Sequence, residues 1–473
     1  MALTKLFNKI DPGELRVFLL VILGQMICML GIIAVLSWSG GDFLKTRNML
    51  PVFGPDSEGY YQAAKNFLEY GQFSLSEREP LLPMSFRTPG YPFFVVLIWY
   101  IFGNVQVLIF IQFIISAISA VLIYRLARKL LTDKLAIVVS VVAFLEPSVA
   151  YYSGLLLSET LFTFFLVFAV YIFINIFLQE KTKSFFLFLA VGFILGLATL
   201  VKPVAQFLPI VFVTCGFVWL ILNKKSRSAP YLLLVFIGFI VVVSPLLVRN
   251  HVVFNEWSVS SVASYNLYNY NAPMFYSYKE QVSFEDGRNY FRGKVKVEEQ
   301  LMMMSLYKSR ELKTAALEYI STDWPGYIKF HFIKSLPFFF TDGLRDMGQQ
   351  VGLNNQSLPN ISDYILKKDV VGLIKALITS PLNMVLFIGG AMFWGVIILG
   401  MIFCLFDFKQ GLKNNWLAAI FLIIIVCYFG FLTGPVSNAR FRVPVTPLMF
   451  IAAFYGYNFI IHIFKNREIK QKS

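Results

Sequence analysis

The sequence predicts an all-α integral membrane protein with about ten transmembrane helices and interfacial helices in two outer loops. Three observations carry that expectation. Apolar residues make up 57% of the 473 and charged residues only 14%, with a mean hydropathy of +0.67. Long apolar runs recur along the whole chain, and Lys and Arg gather in alternate short loops between them. A soluble chain has no use for so apolar a composition. A membrane span needs roughly 20 apolar residues, because only a helix satisfies its own backbone across about 30 Å of hydrocarbon.

The runs are Leu15 to Trp38, Val105 to Tyr124, Leu135 to Tyr152, Leu155 to Phe177, Phe185 to Val201, Ala205 to Leu222, Tyr231 to Val248, Met384 to Phe406, Trp416 to Thr433 and Pro444 to Phe464. The first is too long for a removed signal peptide and lacks a small-residue cleavage site, so it reads as a retained span. Cys28, Cys215, Cys404 and Cys427 all fall inside runs, which speaks against a disulfide framework or a cysteine metal site.

Orientation follows from the excess of Lys and Arg in short cytoplasmic loops. The N-terminal tail holds Lys5, Lys9 and Arg16. Alternate loops carry Arg125, Arg128, Lys129 and Lys134, then Lys181 and Lys183, then Lys224, Lys225 and Arg227, then Lys409 and Lys413, and the C-terminal tail carries Lys465, Arg467, Lys470 and Lys472. With ten spans all of these share one side, which predicts a multi-pass protein of the cell (inner) membrane with both termini cytoplasmic. The net charge of +14 is then a topology signal plus attraction to anionic lipid, and nucleic acid is not an expected partner.

Three cations break the rule by falling on the other side: Lys202 after the fifth run, and Arg440 and Arg442 before the tenth. One reading is a site for the phosphate of a lipid carrier. The other is ordinary snorkelling to the interface. Two long segments face the same side, residues 39–104 and 249–380. In the first, Gly54-Pro55-Asp56-Ser57-Glu58-Gly59 aims Asp56 from a turn immediately before a helix-like stretch, as a reactive carboxylate or as a helix N-cap. The second is polar at first and then amphipathic, with Trp324, Tyr327, Phe330 and Phe332 interleaved with Lys329, His331 and Lys334, as expected of helices lying along the interface. Phosphate-cradling glycine loops, zinc spacings and nucleophile elbows are absent, and the three histidines are scattered.

Several motifs together carry a resemblance. Pro55-Asp56-Ser57-Glu58-Gly59-Tyr60-Tyr61, Gly71-Gln72-Phe73, Arg87-Thr88-Pro89-Gly90-Tyr91-Pro92, Glu146-Pro147, Ser158-Glu159-Thr160, Gly196 to Pro203, Arg249-Asn250-His251, the Ser260-Ser261 to Tyr268 stretch, and Arg440-Phe441-Arg442-Val443-Pro444 occur in order along nearly the whole chain. This pattern resembles the polytopic lipid-linked-sugar glycosyltransferases of the C superfamily, in particular the protein-mannosyltransferase and aminoarabinose-transferase-like bacterial branch.

The resemblance implies a single transmembrane glycosyltransferase domain over residues 1–473. It implies an inverting hexosyl- or pentosyltransferase that moves one sugar from a polyprenyl-phosphate carrier to a lipid, glycan or protein acceptor on the non-cytoplasmic face. Asp56 matches the family's general base, with Glu58 a weaker rival because many relatives pair two acids directly. Lys202, Arg440, Arg442 and Arg87 are implied to hold the donor phosphate. Glu159 matches a second acid that orients acceptor or sugar or binds a cation, or else is a membrane-edge carboxylate paired with a neighbouring Arg or Lys. No cofactor is certain; the resemblance is compatible with transfer assisted by a divalent metal and with transfer without one. The soluble C-terminal domain of some relatives is expected to be missing, because only about ten residues follow the last run. A transporter or flippase for lipid-linked saccharides is the alternative, and a polymerase or ligase a further one. The scarcity of charge inside the runs and the early position of the acid-bearing loop favour the transferase.

Overall fold

The computed structural model describes residues 11–38, 56–296, 300–341, 343–344, 347, 361–378, 381–409 and 413–472. Its helices are α1 (Pro12–Trp38), α2 (Ser57–Tyr70), α3 (Gly90–Phe102), α4 (Val107–Ala127), α5 (Asp133–Leu145), α6 (Pro147–Ser153), α7 (Glu159–Leu178), α8 (Phe185–Val201), α9 (Leu208–Leu222), α10 (Leu233–Phe254), α11 (Val262–Asn266), α12 (Ala272–Glu280), α13 (Phe284–Arg292), α14 (Ser309–Ser321), α15 (Trp324–Phe340), α16 (Ile361–Lys367), α17 (Val370–Ile378), α18 (Pro381–Leu405), α19 (Lys413–Thr433), α20 (Ala439–Arg442) and α21 (Thr446–Lys472). No strand occurs among the described residues, only an isolated bridge between Ser74 and Pro83. The protein is an all-α integral membrane protein that crosses the bilayer many times.

Every expected apolar run forms helix, with the following adjustments. Among the described residues eight helices are long and apolar enough to cross a membrane, and a ninth span results if α5 and α6, bent by 59°, count as one. The bend falls at Glu146-Pro147, where proline cannot donate to the preceding turn and the Glu146 side chain accepts from the Val149 amide to start α6 afresh. The run expected from Leu155 begins as helix only at Glu159. The fifth run, α8, is 17 residues long, or about 25 Å at 1.5 Å per residue. Finally, α3 is an apolar helix of 13 residues inside the expected first outer loop, too short to cross alone.

Large apolar side chains such as Ile210, Phe217, Ile240 and Val241 stay exposed on α9 and α10, as helices facing lipid require. The bundle core runs through α1, α4, α5, α7, α8, α19 and α21. At the charge-rich face, Arg125 at the end of α4 grips both oxygens of Glu14 at the start of α1, at 2.7 and 2.8 Å. The last described segment extends helically past the expected end of the final run, to Lys472.

Helices α8 and α10 approach until backbones touch. A Cβ on Gly192 would lie 2.0 Å from the carbonyl oxygen of Val235, and one on Gly238 would lie 2.2 Å from that of Leu189. No side chain can fit there, so glycine sets the distance between the two helices, as at small-residue crossings in membranes generally. Beyond the bundle, the segment after α10 builds a second core of its own from Tyr268, Phe275, Phe291, Leu312, Ile320 and Phe330.

Gly238→Leu should push α10 off α8 and lower stability by about 1 to 3 kcal/mol, read as a lower Tm in detergent. An unchanged Tm would show that the two helices do not need this contact.

Candidate active site

The site is assembled from five segments remote in sequence. Lys202 ends α8 because proline follows it: the residue before proline is pushed out of the helical region, and Lys202 is extended (φ −141°, ψ 121°). Glu159 opens α7, where a carboxylate meets the positive end of the helix dipole. Arg87 precedes α3, whose first residue, Gly90, is wedged against the end of α8. A Cβ there would come within 2.6 Å of the carbonyl oxygen of Leu200, so the same contact fixes Arg87 relative to Lys202. Arg440 lies on the short turn α20, begun by the Asn438 side chain accepting from the Arg440 amide at 3.1 Å. Asp56 occupies the N-cap position of α2, yet its side chain makes no cap hydrogen bond there.

Instead the Asp56 carboxylate faces two guanidinium groups. Arg87 Nη2 donates to Oδ1 at 2.9 Å and Arg440 Nη1 donates to Oδ2 at 2.5 Å. Arg440 also reaches Glu159 Oε1 through Nε at 2.6 Å, and Lys202 Nζ donates to the same oxygen at 2.9 Å. Arg440 therefore bridges the two acids. Glu159 is fully buried, whereas the Asp56 side chain keeps 37% exposure. Tyr60 lies under the Arg87 guanidinium, 4.3 Å from its ring centroid, and its hydroxyl meets Ser158 Oγ at 3.1 Å.

Burial alone would raise the Asp56 pKa, but the facing charges of Arg440 and Arg87 outweigh it and hold the carboxyl well below the usual range. Its pairs thus stabilise the fold above that range and are lost as pH falls through the lowered value. Three cations face two carboxylates here, which leaves one positive charge in excess. Four buried polar atoms nearby find no protein partner: Arg87 Nε, Glu159 Oε2 and the hydroxyls of Thr88 and Thr160. Unmatched buried groups in such number mark places where another molecule completes the hydrogen bonding.

The residues expected to share the donor phosphate do not all meet. Arg442, two positions after Arg440, points away, since helix neighbours at that spacing lie on opposite faces. Its guanidinium stacks on Trp394, 3.5 Å from the ring centroid, and donates to the carbonyls of Phe338 at 2.6 Å and Thr341 at 2.5 Å. Arg442 is thereby placed as a clasp on the end of α15. Glu58 is exposed on α2, outside the ion-pair cluster. The histidines also lie elsewhere: His251 stacks on Trp257 and His331 bonds the carbonyl of Phe431.

Three features escape the sequence reading. Ser260 Oγ donates to the Phe86 carbonyl at 2.6 Å, the Ser261 amide donates to the Ser85 carbonyl at 3.0 Å and the Leu306 amide donates to Ser85 Oγ at 2.9 Å. The segment after α10 thus grips the strip that carries Arg87. Arg249, which α10 presents because it runs past the expected end to Phe254, bonds the Met84 carbonyl at 2.9 Å. Arg249 and Arg87 line one groove of about 410 Å³ whose other walls include Leu200, Val242, Pro245 and Leu246. The motif Arg249-Asn250-His251 was the signal for Arg249, but nothing in it disclosed a groove. A metal ion fits poorly: the Arg440 guanidinium already sits between the two acids, and no cluster of three or more His, Cys, Asp or Glu able to hold one occurs among the described residues.

Residues 86–248 match the profile of the dolichyl-phosphate-mannose-protein mannosyltransferase family. The resemblance to membrane glycosyltransferases of the C superfamily holds over that stretch. Among solved structures the chain is similar to the Archaeoglobus fulgidus oligosaccharyltransferase in its apo form, at 13% identity and a TM-score of 0.48, covering 96% of this chain and 52% of that one. The same enzyme in complex with Zn and sulfate gives 13% identity and 0.48, with 94% and 50% covered. The A. fulgidus oligosaccharyltransferase AglB in complex with an inhibitory peptide and a dolichol-phosphate gives 11% identity and 0.47, with 94% and 52% covered. The chain spans about half the length of these structures. No curated protein matches it.

Removing the charge of Glu159 leaves Lys202 without its carboxylate and Arg440 with Asp56 alone, so Glu159→Gln should cost about 3 to 5 kcal/mol in unfolding free energy. Glu58→Gln, at an exposed position, should stay within about 0.5 kcal/mol. Equal effects in denaturant titrations would mean that the cluster does not hold the fold together.

Proposed function

We propose that the protein is an inverting glycosyltransferase of the cell (inner) membrane, with both termini cytoplasmic, that moves one hexose or pentose from a polyprenyl-phosphate carrier to an acceptor hydroxyl on the non-cytoplasmic face. The observation that supports this best is the pairing of an ionised acid, Asp56, with a surplus of cations, one of which, Arg87, also lines a largely apolar groove together with Arg249. A groove of that chemistry suits a molecule with an anionic head and a hydrocarbon tail.

In this reading Arg87, Arg440 and Lys202 take the donor phosphate, and Arg249 guards the groove beside it. Glu159 positions Arg440 and Lys202 without touching the reacting atoms. Asp56 accepts the proton of the acceptor hydroxyl as its oxygen attacks the anomeric carbon. The bond from that carbon to the phosphate oxygen breaks, the electron pair leaves with the phosphate, and the guanidinium groups stabilise the added charge. Donor binding also prepares the base. A carboxylate held by two guanidiniums is a weak base, and a phosphate that draws those groups to itself leaves Asp56 more basic at the moment the acceptor arrives.

Purified protein given a polyprenyl-phosphate-linked hexose or pentose and an acceptor extract should release polyprenyl phosphate. Asp56→Asn should bind donor normally and lose about 10² to 10⁴ in turnover. Full turnover in that variant, with loss in Glu58→Gln, would move the base to Glu58. Arg87→Gln should weaken donor binding by about 10- to 100-fold, as loss of a charge-assisted hydrogen bond does. It should also move the acid limb of the pH–turnover profile upward, because one of the two charges that lower Asp56 is gone. A limb that stays in place would show that Asp56 is not the group whose ionisation controls the rate.

A further inference from the structure

The face of the membrane opposite Glu159 carries a second charged site. Helix α7 has 20 residues, so its far end lies about 30 Å from Glu159. There the connections that follow α7 and α9 are built alike. Each helix closes with a six-residue backbone bond, from the Lys181 amide to the Ile176 carbonyl and from the Lys225 amide to the Leu220 carbonyl, both 2.8 Å. Each does so through a left-handed residue that is not glycine, Glu180 at φ 57° and Lys224 at φ 56°. The sequences that follow also correspond: Glu180-Lys181-Thr182-Lys183-Ser184 and Lys224-Lys225-Ser226-Arg227-Ser228 both run from the left-handed residue through lysine, hydroxyl and cation to serine.

The paired connections are fastened to each other. The buried hydroxyls of Thr182 and Ser228 meet at 3.1 Å, and Lys225 pairs with Glu180 at 3.0 Å. Between them lies a cup of about 760 Å³ lined by these ten residues alone. Five cations and four hydroxyls face one carboxylate, and that carboxylate is already paired with Lys225. Lys181, Lys183, Lys224 and Arg227 take no acidic partner among the described residues. The excess of Lys and Arg in short loops accounts for positive charge on this face. It does not account for two loops of matching backbone and pattern converging on one concavity, with hydroxyls between the cations. Apolar side chains adjoin the cup directly: Phe185 and Phe186 are exposed where α8 begins, as are Ile221 and Leu222 where α9 ends.

We infer that the cup seats the phosphates of an anionic phospholipid headgroup, one phosphate per loop, with the acyl chains lying against the apolar surface beside it. Cationic pockets between helix ends at this level of a membrane suit such headgroups. This site is independent of the transfer chemistry proposed for the opposite face.

Native mass spectrometry of the full chain in detergent, with cardiolipin, phosphatidylglycerol or phosphatidylcholine added, tests it. Cardiolipin, with two phosphates, should be retained best and phosphatidylcholine least. Lys183→Gln/Arg227→Gln should bind cardiolipin about 30-fold more weakly, the combined effect of two surface cations. Lys129→Gln/Lys134→Gln, which removes the same charge from the residues after α4 and at the start of α5, should bind as the native chain does. Lys183→Arg/Arg227→Lys should also bind normally, which separates loss of charge from loss of fold. Equal weakening by both neutral pairs would reduce the site to the general field of the loops and overturn the proposal. Unchanged binding in the cup variant would also overturn it. Displacement of cardiolipin by millimolar inorganic pyrophosphate, with an equal rise in Tm from pyrophosphate alone, would assign the cup to a soluble phosphate instead.

Discussion

The bond pattern of Arg440 is the constraint on which the site depends. Glu159 is fully buried at the head of α7, and an unpaired carboxylate in such surroundings costs several kcal/mol. Its two partners come from the end of α8 and from the turn before the last span, so the charge is tolerated only when three distant parts of the chain have docked. Through another of its nitrogens the same arginine holds Asp56, which anchors the segment before α2 to the membrane bundle. Helix packing brings the pieces near, and this one guanidinium sets which face of each is turned inward.

Arg440 and Arg442 show how two like residues in one short turn come to do different work. The first is turned toward the acids. The second lies against Trp394 and satisfies two carbonyls at the end of α15, one of them belonging to a residue just past the helix. A buried arginine with two carbonyl acceptors, an aromatic face and the charge of Glu146 within electrostatic reach meets the demands of its own charge away from the acids that Arg440 serves. Asp56 and Glu58 divide in the same manner, with the first turned to the cations and the second exposed.

Much of this was legible in the amino-acid sequence because it rests on strong regularities. Apolar runs near span length give the helices, and the cations that break the side rule give Lys202 and Arg440. Glu-Pro at 146–147 held a clear break signal, but it lay within a continuous apolar run and was read through. The 13 residues of α3 fell below the length that identifies a span. Arg442 could not be told from Arg440 while α20 was unknown, because a spacing of two separates the residues only once the turn is helical. The N-cap reading of Asp56 fails for a reason local sequence does not contain: its competitors for that carboxylate are Arg87 and Arg440, 31 and 384 positions away. Arg249 and the serines that clasp residues 85 and 86 stood in visible motifs, but what they do was hidden, since their roles are contacts between segments.

The segment after α10 has an aromatic core that it shares with none of the helices α1 to α10, and its polar grip on the segment before α3 centres on residues 84 to 86. The same segment also meets the bundle through α15, where His331 bonds the Phe431 carbonyl and Arg442 holds the carbonyls of Phe338 and Thr341. Exchange of this segment between related chains by grafting would therefore have to preserve two seams, the clasp on residues 84 to 86 and the face of α15 that meets α19 and Arg442.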